Sequence, residues 1–155
     1  MASLIWHQYG RFVSLSATVY TIWAAFWGFW FRKFFFDFAT GIVRSPGGVQ
    51  PSPSVSFFIT IIVKAPIVQI ISMLVGIALL ALEYPAPFLK DTSLSRSFVF
   101  KGMMLIAQFF FALLYYQGTN GAIWSLIGAM CYARATMLGE EMEVAKANRG
   151  RGGKA

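Results

Sequence analysis

The chain holds few residues able to do covalent or acid–base chemistry, and their spacing limits what they can do. There is one histidine, His7, one cysteine, Cys131, and six carboxylates: Asp37, Glu83, Asp91, Glu140, Glu141 and Glu143. A nucleophilic site needs a nucleophile within reach of a base, and a zinc site needs several clustered His, Cys or carboxylate ligands. No HExxH, GxSxG or Walker loop is present. His7 precedes the first apolar run, Cys131 lies inside the last one, and every carboxylate falls at or outside an apolar boundary. A single thiol excludes an intrachain disulfide framework. The reading is of a chain that is not an enzyme and takes no cofactor and no metal.

Three other residues draw attention because of where they stand. Lys64, Gln69 and Gln108 lie within long apolar stretches. A lysine at membrane depth is costly unless it is paired or snorkels, so Lys64, with Pro66 two residues on, is a candidate contact for a partner or a lipid. Gln69 and Gln108 are expected to hydrogen-bond between the second and third stretches, at about 1 kcal/mol per bond in a membrane. The same three residues would be the ones used if the chain were a small carrier or channel.

The elements that must position these residues follow from composition. Hydrophobic residues make up 57% of the 155 residues and charged ones 12%, whereas soluble domains sit nearer half apolar and a quarter charged. Sixteen Phe, five Trp and six Tyr need lipid or protein around them. About 20 apolar residues cross about 30 Å of hydrocarbon. Four runs qualify or nearly so: 12–31, 55–84, 97–116 and 122–138. The second is long for one span and is interrupted at Pro66, so it is either one kinked helix or two pieces. Between the first two runs, Phe34, Phe35, Phe36 and Phe38 surround Asp37, a pattern that suits a helix lying in the headgroup region. The fold class expected is therefore all-α: an integral membrane four-helix bundle over residues 1–138, with an interfacial helix between helices 1 and 2, and a polar, basic, cytosolic tail over 139–155.

Small residues spaced by four let helix backbones approach. Ala17, Thr21 and Ala25, with Gly28 four after Ala24, mark such a face on the first helix. Gly121, Ser125, Ala129 and Ala133 mark one on the last. Either face could serve the bundle itself or a partner helix.

The formal net charge is +7. The basic residues flank apolar runs, so anionic lipid is the expected partner and nucleic acid is not. The tail residues Lys146, Arg149, Arg151 and Lys154 are the candidate lipid contacts there. With four spans, Arg11, Lys90, Arg96, Lys101, Arg134 and those four tail residues share one side, against Arg32, Lys33, Arg44 and Lys64 on the other. The positive-inside rule then puts both termini in the cytosol, with the chain in the plasma membrane or an endomembrane.

Four stretches carry a resemblance: Leu4-Ile-Trp-His-Gln-Tyr-Gly-Arg-Phe-Val-Ser-Leu-Ser-Ala-Thr-Val-Tyr20, Arg32-Lys-Phe-Phe-Phe-Asp-Phe38, Tyr115-Tyr-Gln-Gly-Thr-Asn120 and Asn148-Arg-Gly-Arg-Gly-Gly153. Together they resemble an uncharacterised fungal family of small four-span membrane proteins. That resemblance implies a cell-surface or endomembrane setting and assigns no residue to a site. The leading functional expectation is a non-catalytic accessory or regulatory subunit bound to a larger multi-span membrane protein, such as a synthase or pump. A self-associating tetraspan organiser in contact with anionic lipid is the alternative, and a small carrier or channel the third. No soluble small-molecule substrate is evident.

Overall fold

The computed structural model describes residues 4–32, 53–84, 87, 89 and 92–142. The expected interfacial helix at Phe34–Phe38 and the tail residues Lys146, Arg149, Arg151 and Lys154 lie outside them. Among the described residues all regular structure is helical. In order come α1 (Trp6–Trp30), α2 (Ser56–Ile59) running into a wider π-type turn at Thr60–Lys64, α3 (Ile67–Glu83), the short α4 (Ser93–Arg96), α5 (Phe98–Leu113) and α6 (Thr119–Met137).

The boundaries have local causes. Pro66 has no N–H, so it cannot donate to the carbonyl four residues back, Ile62 O. The chain breaks there, and the segment Ser56–Lys64 stands at 65° to α3. The Gln69 side chain replaces the lost bond, its Nε2 donating to Ile62 O at 3.0 Å. Arg32 satisfies a second carbonyl at the break, donating from Nη1 to Lys64 O at 3.0 Å. Ser97 caps α5 by accepting from the Phe100 amide at 3.2 Å. α6 ends on Gly139, whose φ of +66° is a conformation that favours glycine. The amides of Gly139 and Glu140 then donate back to Thr136 O and Ala135 O, both at 3.0 Å. α1 begins six residues before the apolar run that announces it, because its cap comes from elsewhere in the chain.

The four long helices alternate in direction, and each packs chiefly against two others: α1 between α3 and α6, α5 between the same pair, with a smaller contact between α1 and α5. The α1–α6 seam is the closest. Gly10 faces Cys131, Gly128 faces the backbone of Ser14, and Gly121 faces Thr21, an antiparallel ladder. A methyl group built on Gly121 would fall 2.3 Å from Thr21 Oγ1, so only glycine permits this approach.

The interior mixes apolar side chains such as Ile62, Leu79 and Leu105 with polar ones, and much of the outside is apolar. The fully buried positions include Ser14, Thr18, Thr21, Gln69, Ser72, Gln108 and Ser125, interleaved with alanines. The exposed ones include Phe12, Trp23, Phe26, Leu74, Met103, Phe110 and Met130. One helix, α1, is long and apolar enough to cross a membrane, and the bent pair Ser56–Lys64 plus Ile67–Glu83 passes the same test if it counts as one span.

Candidate functional site

Among the described residues, the most charged place in the interior lies where the last turn of α3 meets the first turns of α5 and the last turns of α6. Glu83, Lys101 and Tyr132 converge there. Lys101 Nζ lies 3.0 Å from Glu83 Oε2, with side chains 2% and 0% exposed. Tyr132 Oη donates to the other carboxylate oxygen, Oε1, at 2.5 Å. The ammonium also sits over the Tyr132 ring, 5.8 Å from its centroid. Both oxygens of the carboxylate are thus engaged, which is the condition under which a buried ion pair is tolerated.

Sequence reasoning placed these residues differently. The sequence puts Lys101 among the basic residues of the cytosolic side and Glu83 at an apolar boundary. Both are instead buried and paired. Each lies inside its helix near a shared end, and the connection between α3 and α5 brings the two ends side by side. Opposite charges at matching depth on consecutive antiparallel helices were the available signal.

Aromatic contacts extend the cluster outward. Phe98 stacks on Tyr132 at 5.7 Å between centroids and on His7 at 5.2 Å. His7 Nδ1 lies 2.8 Å from Glu140 Oε2. The Glu140 carboxylate also accepts from the Trp6 and His7 backbone amides, at 2.9 and 2.8 Å. It therefore caps α1, whose own Ile5 offers no capping side chain, and ties the start of α1 to the end of α6. Partial burial alone would raise the Glu140 carboxyl, but the hydrogen bonds from the His7 and Trp6 amides and the His7 ring outweigh it and hold it below the ordinary carboxylate value.

Midway along the helices lies a neutral polar layer. Gln108 Nε2 donates to Ser125 Oγ at 2.8 Å, and the Ser125 hydroxyl donates in turn to Gly121 O at 2.6 Å. Nearer the break, Ser72 Oγ and Tyr115 Oη share a hydrogen bond of 3.1 Å. Gln69 and Gln108 do not bond to each other as expected. Gln69 serves its own helix break and Gln108 reaches α6. Both have 0% exposure, so each faces the chain's own interior.

Lys64 is exposed at the end of the segment before the break. Of the expected packing faces, Ala17, Thr21, Ala25, Gly28, Gly121, Ser125 and Ala129 are buried. Ala133 is not. Four residues turn a helix by about 400°, so a spacing of four drifts about 40° per step. By the third step Ala133 has rotated out, and the buried line runs through Gly128, Tyr132 and Ala135 instead. Sequence reading missed Gly128 because the true line alternates steps of three and four.

Among the described residues no three His, Cys, Asp or Glu side chains gather to hold a metal ion. Cys131 is buried as a free thiol. What the arrangement can do is hold a charge pair and several amides inside the helices in fixed geometry.

This chain belongs to the family described as a domain of unknown function, DUF7727, whose model matches residues 1–140. No curated protein and no solved structure matches it.

Proposed function

We propose that the chain crosses a membrane four times, with both termini in the cytosol, and acts as a non-catalytic accessory subunit of a larger membrane protein. The distribution of side chains supports the first part. Apolar groups coat every long helix while serines, threonines and glutamines pack inside, an arrangement suited to lipid surroundings. The basic residues at the terminal end of the helices support the orientation.

One observation carries the accessory role: a pre-assembled aromatic ridge on the outer face of α1. Trp23 touches Phe26 and Trp27 at 6.3 and 5.7 Å between ring centroids, Phe26 touches Trp27 at 5.8 Å, and Trp27 touches Phe31 at 6.1 Å. All four rings are exposed. Interface hot spots are enriched in Trp and Tyr, and aromatic side chains already held against one another lose little freedom on docking. The occupant proposed is a transmembrane helix of the larger partner, lying along Trp23 and Trp27.

The test is purification of the tagged chain from its native membranes in mild detergent, with the stoichiometry of what accompanies it. A larger multi-span protein is expected at fixed ratio, and the pair Trp23→Ala with Trp27→Ala is expected to release it without loss of the folded chain. Recovery of a lone monomer would overturn the proposal. Recovery of homo-oligomers only would replace it with a self-associating membrane organiser.

A further inference from the structure

We infer that the Ser56–Lys64 segment is an in-plane anchor on phospholipid, lying at the headgroup–acyl boundary of the leaflet away from the termini, and that α3 alone makes the second crossing. The inference rests on the proposed crossing of α3 and not on the accessory role.

Length and direction come first. α3 has 17 residues, about 25 Å at 1.5 Å per residue, close to the roughly 30 Å of hydrocarbon. The segment before it consists of the four residues of α2 and the five of the π-type turn. Continued straight, Ser56–Glu83 would run to about 40 Å, too long for an upright span. The two pieces instead stand at 65°. A segment about 12 Å long at that angle advances only about 5 Å along α3 and moves about 11 Å sideways. The bend is short of a right angle, so the chain does not dip back as a re-entrant loop.

The break stands level with other helix ends. Arg32, just past α1, donates to Lys64 O at 3.0 Å, and Gln117, just past α5, donates to Phe31 O. Trp30, Phe31 and Tyr116, at those ends, are exposed, as in the aromatic belt of a membrane interface. Ile62, fully buried in a core cluster with Ala25, Val68 and Tyr115, pins the inner end of the segment. α2 packs chiefly on the turn that follows it rather than on a long helix, so it projects from the bundle at this level.

The side chains suit that plane. Ser56, Thr60 and Lys64 are all exposed, and their spacing of four sets them along one side. Phe57 and Phe58 are exposed at 66% and 39%, with ring centroids 5.8 Å apart. In hydrocarbon the lysine would be costly, and in water the two phenylalanines would be. At the boundary the polar side meets headgroups while the phenylalanines enter the acyl region. Arg32 and Lys64, joined through Lys64 O, put two cations at the level of lipid phosphate, and this charge match selects phospholipid as the occupant.

Nitroxide labels on single cysteines, in a Cys131→Ala background in phosphatidylcholine vesicles, test the inference by depth. Depth is read as collision with oxygen, which collects in hydrocarbon, against a water-soluble nickel chelate. The sites are Ser56→Cys, Phe57→Cys, Lys64→Cys and Leu74→Cys, all exposed. Leu74→Cys is expected deepest and Phe57→Cys to favour oxygen. Ser56→Cys and Lys64→Cys, on the same side, are expected to be shallow and within about 5 Å of each other in depth. A continuous span would put Lys64→Cys about 12 Å deeper than Ser56→Cys, and that result would overturn the inference. So would a Phe57→Cys label that favours the chelate, or one screened from both reagents by a protein neighbour. A Leu74→Cys label open to the chelate would overturn the crossing of α3 itself, and the inference with it, so the two failures are told apart.

Discussion

Replacing Lys101 by methionine keeps most of the side chain's volume and removes its charge. Glu83 then stays buried with only Tyr132 Oη, formerly 2.5 Å from one oxygen, and the oxygen that faced Nζ at 3.0 Å loses its donor. Breaking a buried pair from one side typically costs about 3–5 kcal/mol, because the remaining charge is uncompensated. At about 2–4 °C per kcal/mol for a chain of this size, the melting temperature should fall by roughly 6–20 °C. Glu83→Gln should also destabilise, leaving the ammonium over the Tyr132 ring without its carboxylate. The double variant removes both charges and keeps an amide that Tyr132 can still donate to. It should recover much of the loss, with a coupling of about 2–3 kcal/mol between the two sites. The assay is a double-mutant cycle on thermal or denaturant unfolding in detergent. If the two single costs simply add, the residues do not act as a pair and the reasoning fails.

Three further outcomes follow from other contacts. Gln69→Leu should cost about 1–3 kcal/mol, because Ile62 O is left without the donor that stands in for the missing Pro66 amide; a stability within error of the parent would show that the break needs no such support. Gly121→Ala should cost about 1–3 kcal/mol by driving a methyl onto Thr21, whereas exposed Ala133→Val should stay within about 0.5 kcal/mol, a contrast readable from paired melting curves. Glu140 has a folded-state pKa below its ordinary value of about 4.3, so its contribution is present above that value and lost as pH falls through the lowered one. Glu140→Gln should therefore flatten the acid side of the melting-temperature profile, and an unchanged acid limb would count against the cap on α1.

The helices themselves were legible, since long apolar runs leave few alternatives, and so were most of the small residues that line α1 and α6. The ion pair was not. Hydropathy weighs Glu83 and Lys101 separately, and each then looks like a boundary residue. Only the pairing of their depths across the α3–α5 connection buries them together. The role of Gln69 was hidden for a related reason. The sequence shows a proline and a glutamine three residues apart, but the need for a donor at Ile62 O exists only once the chain has bent. The capping of α1 by Glu140 joins residues more than 130 apart, beyond any local pattern. Ala133 was misread because a spacing of exactly four was preferred over the alternation of three and four that a helix seam follows.

The four proposed crossings depend most on α6, which is long enough to span but less apolar than α1. The residues that lower its hydropathy include Thr119, Asn120, Gly121, Ser125, Gly128 and Arg134. Gly121, Ser125 and Gly128 are buried against α1 and α5, so lipid would not meet them. Asn120 and Arg134 stand in the first and last turns, where headgroups can be reached. A helix whose inner face is built for close packing is thus under-scored by an average over all its residues. Single cysteines decide the matter in a Cys131→Ala background. Asn120→Cys and Leu138→Cys lie at opposite ends of α6, both exposed. In sealed vesicles with the cytosolic face outward, an impermeant maleimide should label Leu138→Cys at once and Asn120→Cys only after the membrane is opened. Equal labelling of both before opening would mean that α6 does not cross, and the four-span reading would fall with it.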